Sequence, residues 1–283
     1  MIKEIKDKFP KWCEDTKDYD LLLSDDIDSL MCAMFQKQYF NREIKYFIDV
    51  NYKKCAYRKS GIQKMYIKEN HIENKDNMLG LDIALEEGKT WDNHVTKIYK
   101  VDNYNKNSAN INNIRNINKY NYTDKYVISS YITMLSYYNI DISKWSYEQL
   151  CVLCAIDGLY TPFETERFKT KATKNLVNDL EYGFLADFIT ENIEDIKRIE
   201  QELNLKEGKI KVKDGKLVTN IKLDKLSEIF GYEISLPTFN FNGLHEYSSK
   251  IINTSYADVK DKLEFFNFVL LYKSSCIQSV KIK

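Results

Sequence analysis

The segment Ser24-Asp25-Asp26-Ile27-Asp28-Ser29 crowds three acids directly behind a short apolar run, Asp20–Ser24 (DLLLS). Carboxylates so close repel one another unless something neutralises them. Asp82, near the end of the apolar segment Met78–Leu85, and Asp92, just beyond it, add further oxygen ligands of the same hard kind. If those apolar segments are strands of an open α/β sheet, their C-terminal ends share the rim where such sheets bind ligands. Hard oxygens converging there favour Mn²⁺ or Mg²⁺ over a thiolate-loving metal. Each aspartate has a plainer reading too, as a solvated loop residue or a helix cap, and Asp28 is placed to cap the helix that follows it. Spacing alone leaves both open.

The elements around these acids read as an α/β fold. Asp20–Ser24 is an expected strand, followed by a tight loop and a helical stretch from Asp28 to Phe40. Ile44–Val50 and Met78–Leu85 are further strands, and Trp91–Thr96 follows a turn containing Gly88. Strands interleaved with helical stretches point to a parallel sheet with helices on both faces. Val101–Thr123 is polar and Asn-rich, a surface loop with a helical portion near Ile111–Ile117. Helices are expected over Asp124–Tyr138 and Tyr147–Ile156, and a long helical pattern over Lys171–Leu205. Asp214-Gly215, between alternating residues of Lys209–Asn220, signals a hairpin. Phe266–Tyr272 and Ile277–Ile282 read as two last strands, giving a smaller C-terminal α/β lobe after a boundary set at residues 190 and 191.

Composition narrows the function. Lys+Arg and Asp+Glu balance at 42 each in 283 residues, so no basic excess exists for gripping long duplex nucleic acid. Small nucleotides or short single strands suit this balance better. No apolar run approaches the roughly 18 residues of a membrane span, and Met1–Pro10 lacks a signal-peptide core. The six cysteines are therefore expected as thiols in a cytoplasmic protein, with Cys151 and Cys154 on a buried helix face.

The ordered set Asp26-Ile27-Asp28, then Asp82 within Gly80-Leu81-Asp82-Ile83-Ala84, then Asp92-Asn93-His94, then Asp157-Gly158 resembles the DHH phosphoesterase superfamily, in its oligoribonuclease and single-strand exonuclease branch. The stretch from Thr238 to Ile282 is similar to the start of the accessory domain of those enzymes, here truncated. The resemblance implies a DHH-type catalytic domain over residues 1–190 and a helical linker with the accessory domain over 191–283. It implies two Mn²⁺ ions, with Mg²⁺ as the alternative, and hydrolysis of a phosphodiester by a metal-activated water. Asp26 would bind one ion, Asp28 and Asp157 the other, and Asp82 both. His94 would contact the scissile phosphate, Asp92 would orient it or join the metal shell, and Asn93 would be an oxygen ligand.

This chain departs from the family pattern at Ser24, where many members carry His or Asp, and at Asn93, which replaces a histidine. The accessory domain's glycine-rich loop with its histidine is not seen, so substrate grip is expected from Ser29, Arg58 and Arg167, with Lys59, Lys64, Arg115 and Lys169 as further cations and Tyr57, Tyr160 and Phe163 as stacking rings. His71 and His245 are expected to be structural. The implied substrate is a small linear or cyclic nucleotide, a short oligonucleotide or single-stranded nucleic acid. The alternatives are a nucleotide-binding pseudoenzyme of the same fold and a phosphatase or pyrophosphatase, and a homodimer is compatible with either.

Overall fold

Leu21, Leu22 and Leu23 are all fully buried, which a strand reaches only when both its faces are covered. They form β1 (Asp20–Leu23), in a computed structural model that describes residues 1–50, 60–255 and 265–282. β1 lies between β2 (Ile44–Asp49) and, across an interval that includes β3 (Ser60–Lys68), β4 (Met78–Leu81), and it runs parallel to both. β5 (Lys89–Trp91) and β6 (Ser108–Ala109) continue the parallel half. β7 (Ile210–Lys213) and β8 (Lys216–Thr219) make a separate hairpin, turned at Asp214-Gly215 as its sequence signalled.

The C-terminal strands correct the expected architecture. β9 (Phe241–Asn253) pairs antiparallel with β3, and β10 (Asn267–Tyr272) and β11 (Ser275–Lys281) follow it. The order β10-β11-β9-β3-β2-β1-β4-β5-β6 is one mixed nine-stranded sheet, so these strands extend the N-terminal sheet rather than build a lobe of their own. The sheet also curls. Its β10 edge returns to the segments leaving β4 and β5, through a bridge between Leu85 and Asn267 and a hydrogen bond from Leu270 N to Val95 O (2.8 Å).

That curl explains a second difference. Among the described residues the buried apolar side chains of the helices join one cluster with Leu21, Leu23, Leu79, Leu81 and Trp91, on one face of the parallel strands. The opposite face, with Leu22, Tyr46, Ile48, Met65 and Ile67, packs on Leu85, Tyr247 and Phe266. Helices on both faces are therefore not observed there; the sheet covers its second face with itself.

Local chemistry sets the helix boundaries. The Ile27–Phe40 helix starts at Asp26, whose side chain accepts from Ser29 N (3.3 Å), and stops at Asn41 in the left-handed region. The helix expected from Asp124 begins only at Ser130, because Ser129 caps it by accepting from Ile132 N (3.1 Å). Ser146 and Gln149 form a reciprocal capping box that opens Tyr147–Ala155. The long pattern from Lys171 is two helices, Glu166–Asn178 and Phe184–Glu202, parted by Glu181 at φ 60°. The expected boundary at 190 and 191 falls inside the second, next to a kink at Asn192. Cys151 and Cys154 are buried thiols, and Cys55 lies outside the described residues. No described helix is long and apolar enough to cross a membrane.

Candidate metal centre

Four parallel strands deliver polar side chains to one rim. β1 leads to Asp25, Asp26 and Asp28, β4 to Asp82, β5 to Asp92 and β6 to Asn110. The turn after β4 is tight enough to demand Gly80, where an added Cβ would stand 2.8 Å from Thr90 Oγ1 and 2.9 Å from Ile83 Cγ2. Thr90 Oγ1 donates to Ile83 O (2.7 Å) and fixes that turn. Asp82 itself takes φ 49°. Asp157 comes from elsewhere, past the end of Tyr147–Ala155, also left-handed at φ 55°. Such backbone costs of order 1–3 kcal/mol per residue and collects at functional sites.

Oxygens of Asp28, Asp82 and Asp157 lie within 4.8 Å of one another. Ligand atoms of Asp82, Asp92 and His94 do the same, so Asp82 belongs to both groups. Asp28, fully buried, does not cap its own helix; its oxygens accept from Ser130 N (2.7 Å) and Tyr131 N (2.8 Å), at the start of the Ser130–Tyr137 helix. The Ser130 hydroxyl donates to Asp82 Oδ1 (2.8 Å). Burial, then the charges of Asp82, Asp157 and Asp26, raise the Asp28 carboxyl far above its ordinary range. Asp82 is raised likewise, by burial and then by Asp157 and Asp26. Asp157 is exposed at the edge of the group, and desolvation, ahead of the charge of Asp26, raises it as well.

Asp92 is held differently. Its Oδ1 pairs with His94 Nδ1 at 2.7 Å, and its Oδ2 accepts from Asn110 Nδ2 at 2.8 Å. Burial works against the His94 charge, but Asp92, together with Asp82 and Asp157, outweighs it and lifts the imidazole to about 9. Asn93, expected as an oxygen ligand, instead donates its amide to Asp157 Oδ2 (2.7 Å) and Ile128 O (3.4 Å), so it braces a carboxylate.

Other expected residues stand apart. Ser29 is fully buried, donating to Leu81 O and accepting from Ser24 N (both 2.8 Å); it ties β1 to β4 and faces no substrate. Arg167 is exposed, 5.7 Å over the Phe168 ring, without an ion pair to the acids. Arg58, Lys59 and Tyr57 lie outside the described residues. Lys64 pairs with Glu246, and Arg115 with Asp179. Tyr160 and Phe163 are buried, Tyr160 bonding Glu200, so neither offers a stacking face. His71 meets Asp20, and His245 meets Glu73.

Three contributors escaped the sequence reading: Asn110, Ser130 and Lys209. The Lys209 ammonium sits 3.0 Å from Asp25 Oδ1 and 3.4 Å from Asp26 Oδ2, and Ile210 N donates to Asp25 O (2.8 Å). Burial disfavours that charge, but Asp26 and Asp25 outweigh it and keep the amine protonated. Only Ser130 left a trace, in the Ser129-Ser130 pair that marks a helix start. The donor set, carboxylate oxygens with one imidazole and no thiolate ligand, fits a hard divalent cation. Comparison with protein-family models, curated proteins and solved structures finds no match to this chain.

Proposed function

We propose that the chain is a divalent-metal-dependent phosphoesterase of the DHH kind, hydrolysing phosphodiesters in small nucleotides, short oligonucleotides or single-stranded nucleic acid. The observation that carries this reading is the position of Asp82 in two ligand groups at once, the arrangement a pair of neighbouring ions requires. Asp28, Asp82 and Asp157 would hold one ion; Asp82 and Asp92, with His94 beside them, would hold the other. Mn²⁺ fits this oxygen-rich set, with Mg²⁺ the alternative. When bound, such ions supply an activated water, orient the phosphoryl group and offset the charge that develops on its oxygens.

The chain's own residues supply the rest. Ser130 and its helix N-terminus fix Asp28 and Asp82, and Asn93 fixes Asp157. Asp92 sets the orientation of the His94 ring through Nδ1, placing an imidazole beside the acids for contact with the scissile phosphate. Asn110 in turn holds Asp92 and the His94 carbonyl (2.7 Å). Lys209 brings a cation from the β7–β8 hairpin to the same rim.

The amide of Asn93, turned to donate to Asp157, favours one competing reading, a nucleotide-binding pseudoenzyme with weakened metal sites. Hydrolysis assays on short oligonucleotides and cyclic dinucleotides, with Mn²⁺ and with EDTA, separate the two. Turnover that needs Mn²⁺ and disappears in Asp28→Asn and Asp82→Asn supports the phosphoesterase. Nucleotide binding without turnover under any divalent metal supports the pseudoenzyme, and product analysis separates a diesterase from a phosphatase acting on terminal phosphate.

A further inference from the structure

A cleft of about 540 Å³ opens beside Asp157, between the Tyr122–Val127 segment and the Glu166–Asn178 helix. That volume suits one small organic molecule rather than a length of polymer. Val127, Pro162, Phe168 and Ala172 give it an apolar wall, and Phe168 is 37% exposed, enough to offer its ring. Two lysines also line it, and they differ. Lys171 is paired with Asp124. The Lys125 ammonium, among the described residues, meets only the Tyr122 side chain, 3.4 Å from its hydroxyl and 5.0 Å from the centre of its ring. Burial works against the Lys125 charge, and Asp157 is the group that favours it. A partly buried ammonium without a bonded carboxylate is an expensive arrangement that an anion would relieve.

We infer that this cleft binds a nucleoside monophosphate unit, with its ring on the Phe168 wall and its phosphate on Lys125. The inference deepens the phosphoesterase reading and rests on it for the choice of a nucleotide: the unit held here would adjoin the bond presented to the acids, because Asp157 belongs to both the cleft and the acid group.

Calorimetric titration of the full chain in EDTA, with adenosine 5′-monophosphate and with adenosine, tests the cleft apart from any metal. The monophosphate should bind roughly tenfold or more tighter than the nucleoside, the scale of one charge-assisted contact. Lys125→Met should erase that preference, Lys125→Arg should keep most of it, and Phe168→Ala should weaken both ligands alike. Equal binding of the two ligands by the unaltered protein, or an undiminished preference in a folded Lys125→Met, would overturn the inference. Because no ion takes part, either result leaves Mn²⁺-dependent hydrolysis to be judged separately. Conversely, Lys125-dependent binding in a protein that never hydrolyses phosphodiesters would uphold the cleft and remove the phosphoesterase.

Discussion

The group Asp82–Asp92–His94 carries a directly bonded counter-charge, on Asp92, while no cation is bonded to Asp28, Asp82 or Asp157. Asp92 has an imidazolium on one oxygen and an amide on the other. Asp28, Asp82 and Asp157 are bonded by neutral donors, a helix N-terminus, the Cys32 thiol, a hydroxyl and an amide, and the charges of His94 and Lys125 reach Asp82 and Asp157 only from a distance. Neutral donors orient carboxylates but do not cancel their mutual repulsion, which is why burial and neighbouring charge raise all three. The difference teaches where a first cation has most to gain. It should load between Asp28, Asp82 and Asp157, and a second should have to compete with a proton already held at His94.

The largest effect should come from the residue the two groups share. Asp82→Asn is expected to lower kcat/KM with Mn²⁺ by about three orders of magnitude, through loss of charge stabilisation at both ions. Retention of more than a tenth of the activity would dissolve the comparison at its centre.

The groups should next part company in metal-free stability. Asp92→Asn leaves a partly buried imidazole without its charged partner and should cost about 2 kcal/mol, whereas Asp28→Asn relieves repulsion while giving up one of its two backbone hydrogen bonds and should cost less. Urea unfolding in EDTA measures both; equal losses would show that the two groups are neutralised alike.

A smaller effect is expected at the braces. Asn110→Ala, which removes a support of Asp92, should weaken Mn²⁺ binding by roughly tenfold, the low end for an outer partner of a metal ligand. Calorimetric titration with Mn²⁺ would show whether that loss falls on the weaker of two sites, as the contrast requires.

The mildest test is pH. A carboxyl raised above its ordinary 3.8 binds its proton more tightly in the folded state, so its stabilising contribution is complete below that value and is lost as pH rises through the folded one. His94 acts in the same direction, losing its contribution between 6.5 and about 9. The metal-free protein should therefore melt several degrees lower at pH 9 than at pH 5, and saturating Mn²⁺ should flatten that slope. A melting temperature that climbs with pH in EDTA would contradict the charge distribution.

Much of the rim was legible because apolar run, acid and helix follow one another along the chain at Leu21–Phe40, and local order of that kind survives folding. Asn110 was not, since it sits in an Asn-rich stretch where no asparagine stands out until β6 places it behind Asp92. Lys209 was invisible for a different reason: its relation to Asp25 spans 184 positions and leaves no periodicity. β3 and β9 escaped because their inward faces carry polar residues. Gln63 of β3 and Ser249 of β9 are fully buried and pair within the fold, Ser249 to Ser279 of β11 at 2.7 Å and Gln63 to Val50 O at 3.1 Å, so the apolar alternation of a strand is interrupted. Without those two strands, the last ones had no sheet to join, and a separate lobe was the natural reading.

The return of β10 to the loops behind β4 and β5 has a bearing on how the protein matures. Glu86 N donates to Phe266 O and Leu270 N to Val95 O (2.8 Å), so a segment that follows the β7–β8 hairpin along the chain clasps the stretches that leave Asp82 and Asp92. A nascent chain released only as far as the β7–β8 hairpin holds every aspartate of the rim yet lacks the clasp. Competence to load ions should then appear only once that segment has been made, and products stalled or clipped before it should stay inert despite an intact set of acids.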